Sequence, residues 1–278
     1  MLVLNNGTLR WSSPCLFNDP FDVPRELSLG ITPAEIVDAL QNRFTSLIED
    51  PPENTSNLAP MLRSIVDTIK AGIDPELQSK MVAGVKETSK TLLPTGASME
   101  ALRDHWRNLI PRFRILCLTE APDHSAMWYH YADQYRGAVL EFNCIDELDS
   151  AWLAAKPITY PNAEPDIFEA DGWARLLMMP NELAVKTILH VATYTKAPDW
   201  SYEREWRITG ANRPNDTGLF TDYQFHPKEL SSIYLGPMIS AADKKSLIAL
   251  AAQYSHVQTF EVTIGMGRRF LFNDVTPL

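Results

Sequence analysis

The segment from Trp200 to Ile208, WSYEREWRI, alternates in a way that constrains the fold more than any other part of the chain. Side chains of a β-strand point to opposite faces at every second residue, so the pattern predicts a short strand with Glu203, Glu205 and Arg207 on one face. Like charges about 7 Å apart on one strand face repel and contribute little to folding. We interpret this face either as one that meets a cation, a sugar hydroxyl or a reacting group, or as a solvated edge that discourages strand pairing.

The composition of the chain limits the classes of protein to which it can belong. The chain has 278 residues, 45% hydrophobic and 22% charged, which suffices for one large domain or two small ones with a full core. Its formal charge of −10 argues against non-specific nucleic-acid binding, because such binders need a basic surface to displace counterions from phosphates. Cys15, Cys117 and Cys144 form no Cys-x-x-Cys pair, so neither a disulfide framework nor a cysteine zinc site is predicted.

The sequence also carries expectations about location. It contains no apolar run of about 18 residues and no basic-then-apolar start of the secretory type, so we expect a cytoplasmic protein without a membrane partner. The opening residues MLVLNNGTLRW read as the end of one element followed by a strand. They lead us to expect a further element upstream.

Helical signals dominate residues 32–111, which we predict to be a helical insertion within a single α+β domain spanning residues 1–278. Thr32, Pro33 and Glu35 supply the cap, the proline at the first helical position and the reciprocal glutamate of a capping box. Helices are predicted from Thr32 to about Ile48 and over Leu58–Ala71, Pro75–Thr91 and Ser98–Ile110.

Outside the insertion, short apolar runs bounded by turn residues predict strands. They cover Gly7–Ser13, Arg114–Thr119, Ala138–Phe142, Pro157–Tyr160, Ser231–Leu235 and Val257–Ile264, with helices over Asn181–Thr193 and from Ser240 to about Tyr254. The fold class predicted is α+β, with a split, mainly antiparallel sheet around a cleft.

One further helix is predicted from about His124 to Tyr135. Asp123 has the residue type of an N-cap, and Gly137 is placed to adopt the left-handed conformation that closes a helix. We interpret His130 in this helix as a structural histidine bonded to a backbone carbonyl.

The chain carries several ordered motifs. They are Phe17-Asn18-Asp19-Pro20-Phe21, Cys117-Leu118-Thr119-Glu120, Met127-Trp128-x-His130-Tyr131-Ala132-Asp133, Gly137-x-x-x-Glu141-Phe142 and Trp200-x-Tyr202-Glu203-x-Glu205-x-Arg207-Ile208. The first of them predicts a fixed loop, because Asn and Asp bond their own downstream amides. On these motifs the chain resembles the bacterial domain-of-unknown-function 2971 family over almost its whole length, which implies a family but no particular activity.

A more distant resemblance, to the ADP-ribosyltransferase superfamily, rests on the order of the parts. In that superfamily an opening strand and loop precede a strand ending in Ser or Thr, a helix under the nicotinamide pocket, and a late strand with the essential glutamate. The corresponding parts here are Leu9–Phe21, Arg114–Thr119, the helix from Met127 to Tyr135, and Glu203-x-Glu205.

This second resemblance implies NAD as the substrate. Breaking the nicotinamide–ribose bond creates an oxocarbenium-like cation, which a carboxylate on the ribose hydroxyls can stabilise. The resemblance implies that Glu205 holds the ribose and that Glu203 accepts a proton from an incoming acceptor of unspecified class. It implies no metal ligand. It implies that the cofactor is bound by eight residues, Arg10, Asn18, Asp19, Phe21, Thr119, Trp128, Tyr131 and Arg207. Among these, Tyr131 or Trp128 would stack near the nicotinamide, Arg10 or Arg207 would face the pyrophosphate, and Thr119 would brace the catalytic glutamate.

Three classes of function stay open at this point. The first is an NAD-using ADP-ribosyltransferase-like enzyme or NAD glycohydrolase, serving as a bacterial toxin or antiphage effector with an antitoxin as partner. The second is a non-catalytic binding module, in which Arg207 pairs with one glutamate and the aromatic residues form core or a partner-binding groove. The third is a metal-dependent phosphodiesterase or nuclease, in which Asp19, Asp22, Glu203 and Glu205 converge on Mg²⁺ or Mn²⁺.

Overall fold

The computed structural model describes residues 1–25, 27, 30–88, 96–163, 165–267 and 269–276. The chain divides into two compact units. Unit 1 comprises Met1–Phe17, Pro111–Ile158 and Asp199–Leu278, and unit 2 comprises Asn18–Ile110 and Thr159–Pro198. The assignment of a single domain with an insertion stays a prediction.

Unit 2 is built from helices. They are α2 (Pro33–Glu49), α3 (Pro60–Lys70), α4 (Pro75–Thr88), α5 (Gly96–Leu109), α7 (Ala170–Leu177) and α8 (Asn181–Tyr194). Helix α2 begins at the predicted capping box, because Thr32 Oγ1 accepts from the Glu35 amide at 3.3 Å and the Glu35 carboxylate accepts from the Thr32 amide at 2.6 Å. It packs against α3, α4 and α7. The predicted helices are confirmed, although residues 89–91 at the end of the third lie outside the described residues.

Unit 1 carries the strands, and its described residues form two sheets. Sheet 1 has the order β4-β5-β2-β1-β6 and is antiparallel throughout, with β1 (Thr8–Ser12), β2 (Phe113–Thr119), β4 (Lys156–Pro157), β5 (Glu205–Ala211) and β6 (Phe220–Gln224). Sheet 2 has the order β3-β7-β8-β9, with β3 (Ala138–Phe142), β7 (Leu230–Leu235), β8 (Gln258–Ile264) and β9 (Phe270–Asp274). Only the β7–β8 pair in the described part is parallel. Helices α1 (Leu2–Asn6), α6 (Ser125–Tyr131) and α9 (Ala241–Ala251) complete the unit, and the α+β class with mainly antiparallel sheets is confirmed.

The register of sheet 1 separates an apolar face from a polar face. Leu116 lies opposite Ile208 on the apolar face, and both belong to a core that includes Ile233 of sheet 2. Residues directly opposite each other in an antiparallel pair share a face, and successive residues alternate. The opposite face therefore carries Thr119 across from Glu205, Cys117 across from Arg207, and Arg10 across from Asp222. We call it the polar face of sheet 1.

The strand predicted from Trp200 to Ile208 is correct only in its second half. Residues Pro198–Glu203 form a 3₁₀ helix, and β5 begins at Glu205. Between them Arg204 has a φ of 44°, a left-handed conformation that costs an ordinary residue about 1 kcal/mol. The amide of Arg204 donates to the carbonyl of Ser201 at 3.3 Å, which closes the turn. The turn leaves Arg204 exposed while the glutamates on either side of it are buried.

Two other predicted elements differ from the structure. Helix α6 begins after His124 rather than Asp123 and ends at Tyr131. The left-handed residues that follow are the run Asp133–Tyr135, with φ of 48°, 53° and 69°, and Gly137 does not adopt a positive φ. The strand predicted over Pro157–Tyr160 is reduced to the two residues of β4, followed by an isolated bridge at Thr159. No helix within the described ranges is both long and apolar enough to cross a membrane.

Candidate functional site

Glu205 and Arg207 form a buried ion pair at the start of β5. They are two residues apart on one strand, so both side chains lie on the polar face. Arg207 donates through Nε to Glu205 Oε1 at 2.6 Å and through Nη2 to Oε2 at 3.1 Å, and the side chains are 0% and 6% exposed. The ring of Phe17 lies 5.4 Å from the guanidinium carbon. An ionised carboxylate has about four lone-pair positions, and these two bonds occupy one on each oxygen.

Glu203 is the second buried carboxylate, with 2% of its surface exposed. The hydroxyl of Tyr131 donates to Glu203 Oε1 at 2.7 Å. Thr119 Oγ1 donates to the main-chain oxygen of Glu203 at 2.8 Å, while Thr119 itself lies opposite Glu205 in the sheet. Tyr131 therefore fixes the carboxylate of Glu203, and Thr119 fixes the backbone turn that presents it.

The hydroxyl of Tyr131 is held in its protonated form. Burial raises the pKa of this phenol above its usual value, and the hydrogen bond to Glu203 and the charges of Glu203 and Glu205 raise it further. The residue as a whole is 57% exposed, so the ring is open to solvent even though its hydroxyl reaches a buried carboxylate. Tyr131 is thus a hydrogen-bond donor over the physiological pH range.

We expect this contact to make the protein sensitive to alkaline pH. The pKa of Tyr131 is higher in the folded chain than the value of about 10 for an unfolded tyrosine, so above that pH the folded state binds the proton more strongly than the unfolded state. The stability that the hydroxyl contributes is complete below about pH 10 and is lost as the pH rises further. Denaturant unfolding between pH 9 and 11 should therefore show a steeper loss of stability in the wild type than in Tyr131→Phe. Tyr129→Phe, on the same helix, controls for the loss of a hydroxyl, and equal slopes in wild type and Tyr131→Phe would contradict the expectation.

Arg10 and Trp128 occupy different environments from Glu203 and Glu205, which we call the acidic pair. Arg10 is on the polar face, where its Nε lies 3.0 Å from Asp222 Oδ1 and its guanidinium carbon lies 3.7 Å from the Phe220 ring centre. The hydrogen bond to Asp222 is the main reason that the pKa of Arg10 is raised. Trp128 is only 1% exposed, packs in a core with Ala132, and donates through Nε1 to a backbone carbonyl at 2.6 Å. Of the two aromatic residues assigned to stacking, only Tyr131 presents an exposed ring.

Asn18, Asp19 and Phe21 belong to unit 2. The predicted turn is confirmed, because Asp19 Oδ1 accepts from the amide of Phe21 at 2.8 Å, and Phe21 is 89% exposed. In the same unit Asp22 Oδ2 lies 3.6 Å from Lys196 Nζ, with both side chains buried. The roles assigned to these loop residues in binding stay predictions.

Two of the carboxylates named in the metal-dependent alternative, Asp22 and Glu205, lie beside cationic side chains. Among the described residues, no group of three or more His, Cys, Asp or Glu side chains is placed so that it could hold a metal ion. Asp22 lies beside Lys196 and Glu205 is paired with Arg207, so each of these carboxylates already faces a cationic side chain.

A set of adjoining aromatic rings beside Glu203 is a feature that the sequence reasoning missed. We call it the ring cluster, and it consists of His124, Tyr129, His130, Tyr131, Trp200 and Tyr202. His130 contacts the rings of Tyr129, Tyr131 and Trp200, and within the described residues it does not make the backbone hydrogen bond expected of it. The density of aromatic and histidine residues in 124–131 and 200–202 is the sequence signal that could have revealed it.

Together the fold and the site define an α+β protein with one buried carboxylate, Glu205, on the polar face of a sheet and a second, Glu203, in the turn before that strand. Residues 127–208 match the model of a family described as protein of unknown function (DUF2971). The matched segment includes Tyr131, Glu203, Glu205 and Arg207, so the resemblance proposed from the motifs is supported over the part of the chain that forms the acidic pair. A search of curated proteins found no match, and neither did a search of solved structures.

Proposed function

We propose that the protein is an NAD-using enzyme, an ADP-ribosyltransferase-like enzyme or NAD glycohydrolase, with Glu205 and Glu203 as its reacting carboxylates. The observation that carries this proposal is the pair of buried carboxylates, each oriented by its own donor. Tyr131 holds Glu203 and Arg207 holds Glu205. Burial of two carboxylates so close in the chain opposes folding unless both are compensated, and ionisable groups in such environments concentrate at functional sites.

The proposed reaction assigns a separate task to each carboxylate. Glu205 accepts hydrogen bonds from the ribose hydroxyls, and its charge faces the cation that develops on the ribose. The bond between the ribose carbon and nicotinamide breaks, and nicotinamide leaves with the bonding electron pair. Glu203, oriented by Tyr131, takes the proton of the attacking hydroxyl or water as its oxygen forms the new bond.

The wider assignment belongs to the same proposal. The ADP-ribosyltransferase-like arrangement around a cleft and the role as a bacterial toxin or antiphage effector with an antitoxin all derive from the remote superfamily resemblance. Their support is the order of the parts, which runs from β1 through β2 and α6 to the acidic turn at the start of β5.

Release of nicotinamide from NAD tests the proposal directly. We expect the wild type to release nicotinamide, and we expect Glu203→Gln and Glu205→Gln each to lower the rate about 100-fold or more, because each removes a charge that acts in the transition state. Glu203→Gln is the more informative variant, since glutamine still offers Tyr131 an acceptor in place of the carboxylate.

A matched control for this test exists in unit 1. Glu141 accepts from the hydroxyl of Tyr234 at 2.6 Å, so Glu141→Gln changes a second glutamate–tyrosine contact away from the acidic pair. It should keep the wild-type rate. A wild type that releases no nicotinamide with any acceptor, or a Glu203→Gln variant with the full rate, would reject the proposal.

A second candidate function, a binding module without a reaction of its own, is favoured by one specific observation. Arg207 is fully buried and donates two hydrogen bonds to Glu205. The binding-module alternative predicts such a structural pair between Arg207 and one glutamate. Trp128, in addition, is a core residue. Under this function the glutamate variants shift the melting temperature, and no sample releases nicotinamide.

A further inference from the structure

We propose that the ring cluster and Arg204 bind an adenine nucleotide, with the base stacked on the rings and the phosphate on the guanidinium. This inference deepens the proposed function and rests on it for the choice of adenine, the base of NAD. It adds a binding surface for the nucleotide end of the substrate, in which Tyr131 also contacts the reacting carboxylate of Glu203.

The rings form a continuous series of contacts. Tyr202 stacks on His124 with centroids 5.1 Å apart and planes at 18°, and its centroid lies 6.0 Å from that of Trp200. Trp200 in turn lies 6.5 Å from His130, which contacts Tyr129 at 5.4 Å. The series therefore joins the 3₁₀ turn before Glu203 to the surface of helix α6.

The cluster is open to solvent on its α6 side. Tyr129 and Tyr131 are 48% and 57% exposed, whereas Trp128 on the same helix is buried in the core. Helix α6 thus directs one aromatic residue inward and its neighbours outward. Adjoining aromatic rings left in water mark binding surfaces, and a flat heteroaromatic base is the partner that several ring faces accommodate together.

Arg204 supplies an exposed cation close to these rings in the chain. It follows Tyr202 by two residues, is exposed, and its side chain makes no hydrogen bond or ion pair with the residues that the structure describes. Its left-handed backbone, with φ of 44°, turns it outward between two buried glutamates. A guanidinium matches phosphate oxygens with two parallel donors.

The charges around the cluster favour a single nucleotide over a nucleic-acid strand. The chain carries a formal charge of −10, which repels a polyanion, while one exposed arginine suffices for one phosphate. Tyr131 belongs to the cluster and also reaches the acceptor Glu203 at 2.7 Å. The exposed rings complement the base of adenosine monophosphate, and the exposed guanidinium complements its phosphate.

Calorimetric titration of the full chain with adenosine monophosphate tests the inference. We expect saturable binding, at least tenfold weaker binding of adenosine and of ribose 5-phosphate, and at least tenfold loss of affinity in Trp200→Ala. Arg204→Gly should lose as much, and because glycine adopts a positive φ readily, a failure to fold will not explain that loss. The matched controls Phe272→Ala and Arg213→Ala alter an aromatic residue and an arginine elsewhere in unit 1 and should bind within twofold of wild type.

The outcomes separate this inference from the proposed function. Wild type without affinity for adenosine monophosphate, or Arg204→Gly with unchanged affinity, overturns the binding surface. If that affinity is found while NAD is never cleaved, the proposed reaction fails and the nucleotide site stands. If NAD is cleaved and Arg204→Gly leaves KM unchanged, the reaction stands and the nucleotide site is wrong.

Discussion

Arg207→Met is expected to lower the free energy of unfolding by about 3–5 kcal/mol, because it leaves a buried carboxylate without its cation. Glu205 is 6% exposed at its side chain and receives two hydrogen bonds from Arg207, at 2.6 and 3.1 Å. Methionine retains much of the apolar stem of Arg207, so the loss of stability reports the ion pair more than the change in side-chain volume. Urea denaturation of wild type and variant, fitted with a common slope, gives the difference directly.

Two further variants show whether the loss of stability in Arg207→Met comes from the buried ion pair. Arg10→Met breaks a pair whose side chains are 55% and 42% exposed, and it should cost below about 1 kcal/mol. The double variant Glu205→Met with Arg207→Met removes both charges and should recover most of the loss, since apolar replacement of a whole buried pair is often neutral. If Arg207→Met costs no more than Arg10→Met, the buried pair does not stabilise the fold in the way described.

The sequence predicted that Glu205 and Arg207 share a strand face, and the binding-module alternative predicted that Arg207 pairs with one glutamate. Residues two apart on a strand share a face, so the alternation of the segment is enough to place Glu205 and Arg207 side by side. The position of Glu203 could not be predicted in this way. Its turn depends on a left-handed Arg204 and on a hydrogen bond from Thr119, which is far away in the chain.

Helix boundaries also divide into those set by local contacts, which the sequence predicts, and those set by distant contacts, which it does not. The capping box at Thr32 and the start of the helix at Ser240 depend on side chains and amides within the first turn, and both are found as predicted. The end of α6 was predicted wrongly, because the left-handed run Asp133–Tyr135 is held in part by the turn that follows β7. The amide of Met238 donates to the carbonyl of Tyr135 at 3.0 Å, a contact that no local pattern reveals.

The choice between Trp128 and Tyr131 illustrates why the site was only partly predictable. Both residues lie on α6, and helical spacing alone does not say which of them faces the core. Trp128 packs with Val262 of β8, and this leaves Tyr131 to reach Glu203. Tertiary packing, rather than residue type, therefore selects the aromatic residue at the acidic pair.

Gly236→Ala is expected to destabilise the protein by about 3 kcal/mol, because the new methyl group has no space. Its Cβ would lie 2.2 Å from the carbonyl oxygen of Tyr135 and 2.7 Å from that of Gly137. These are backbone atoms that cannot rotate away, and the Gly236 amide donates to Gly137 at 2.9 Å. The run Asp133–Tyr135 would have to move, and the strained conformation of its residues depends on the surrounding contacts.

Gly210→Ala is the matched control, since a Cβ there would meet its nearest neighbours, Trp11 and Arg114, at 3.7 and 3.9 Å. We expect its stability to stay within about 1 kcal/mol of wild type. Thermal melting compares the variants, and equal melting temperatures would mean that the close approach at Gly236 does not exist. Because Tyr131 ends the helix just before the left-handed run, Gly236→Ala should also weaken the alkaline sensitivity that we assign to the contact between Tyr131 and Glu203. A variant that melts early and yet keeps that sensitivity would show that the left-handed run supports the fold but does not position Tyr131.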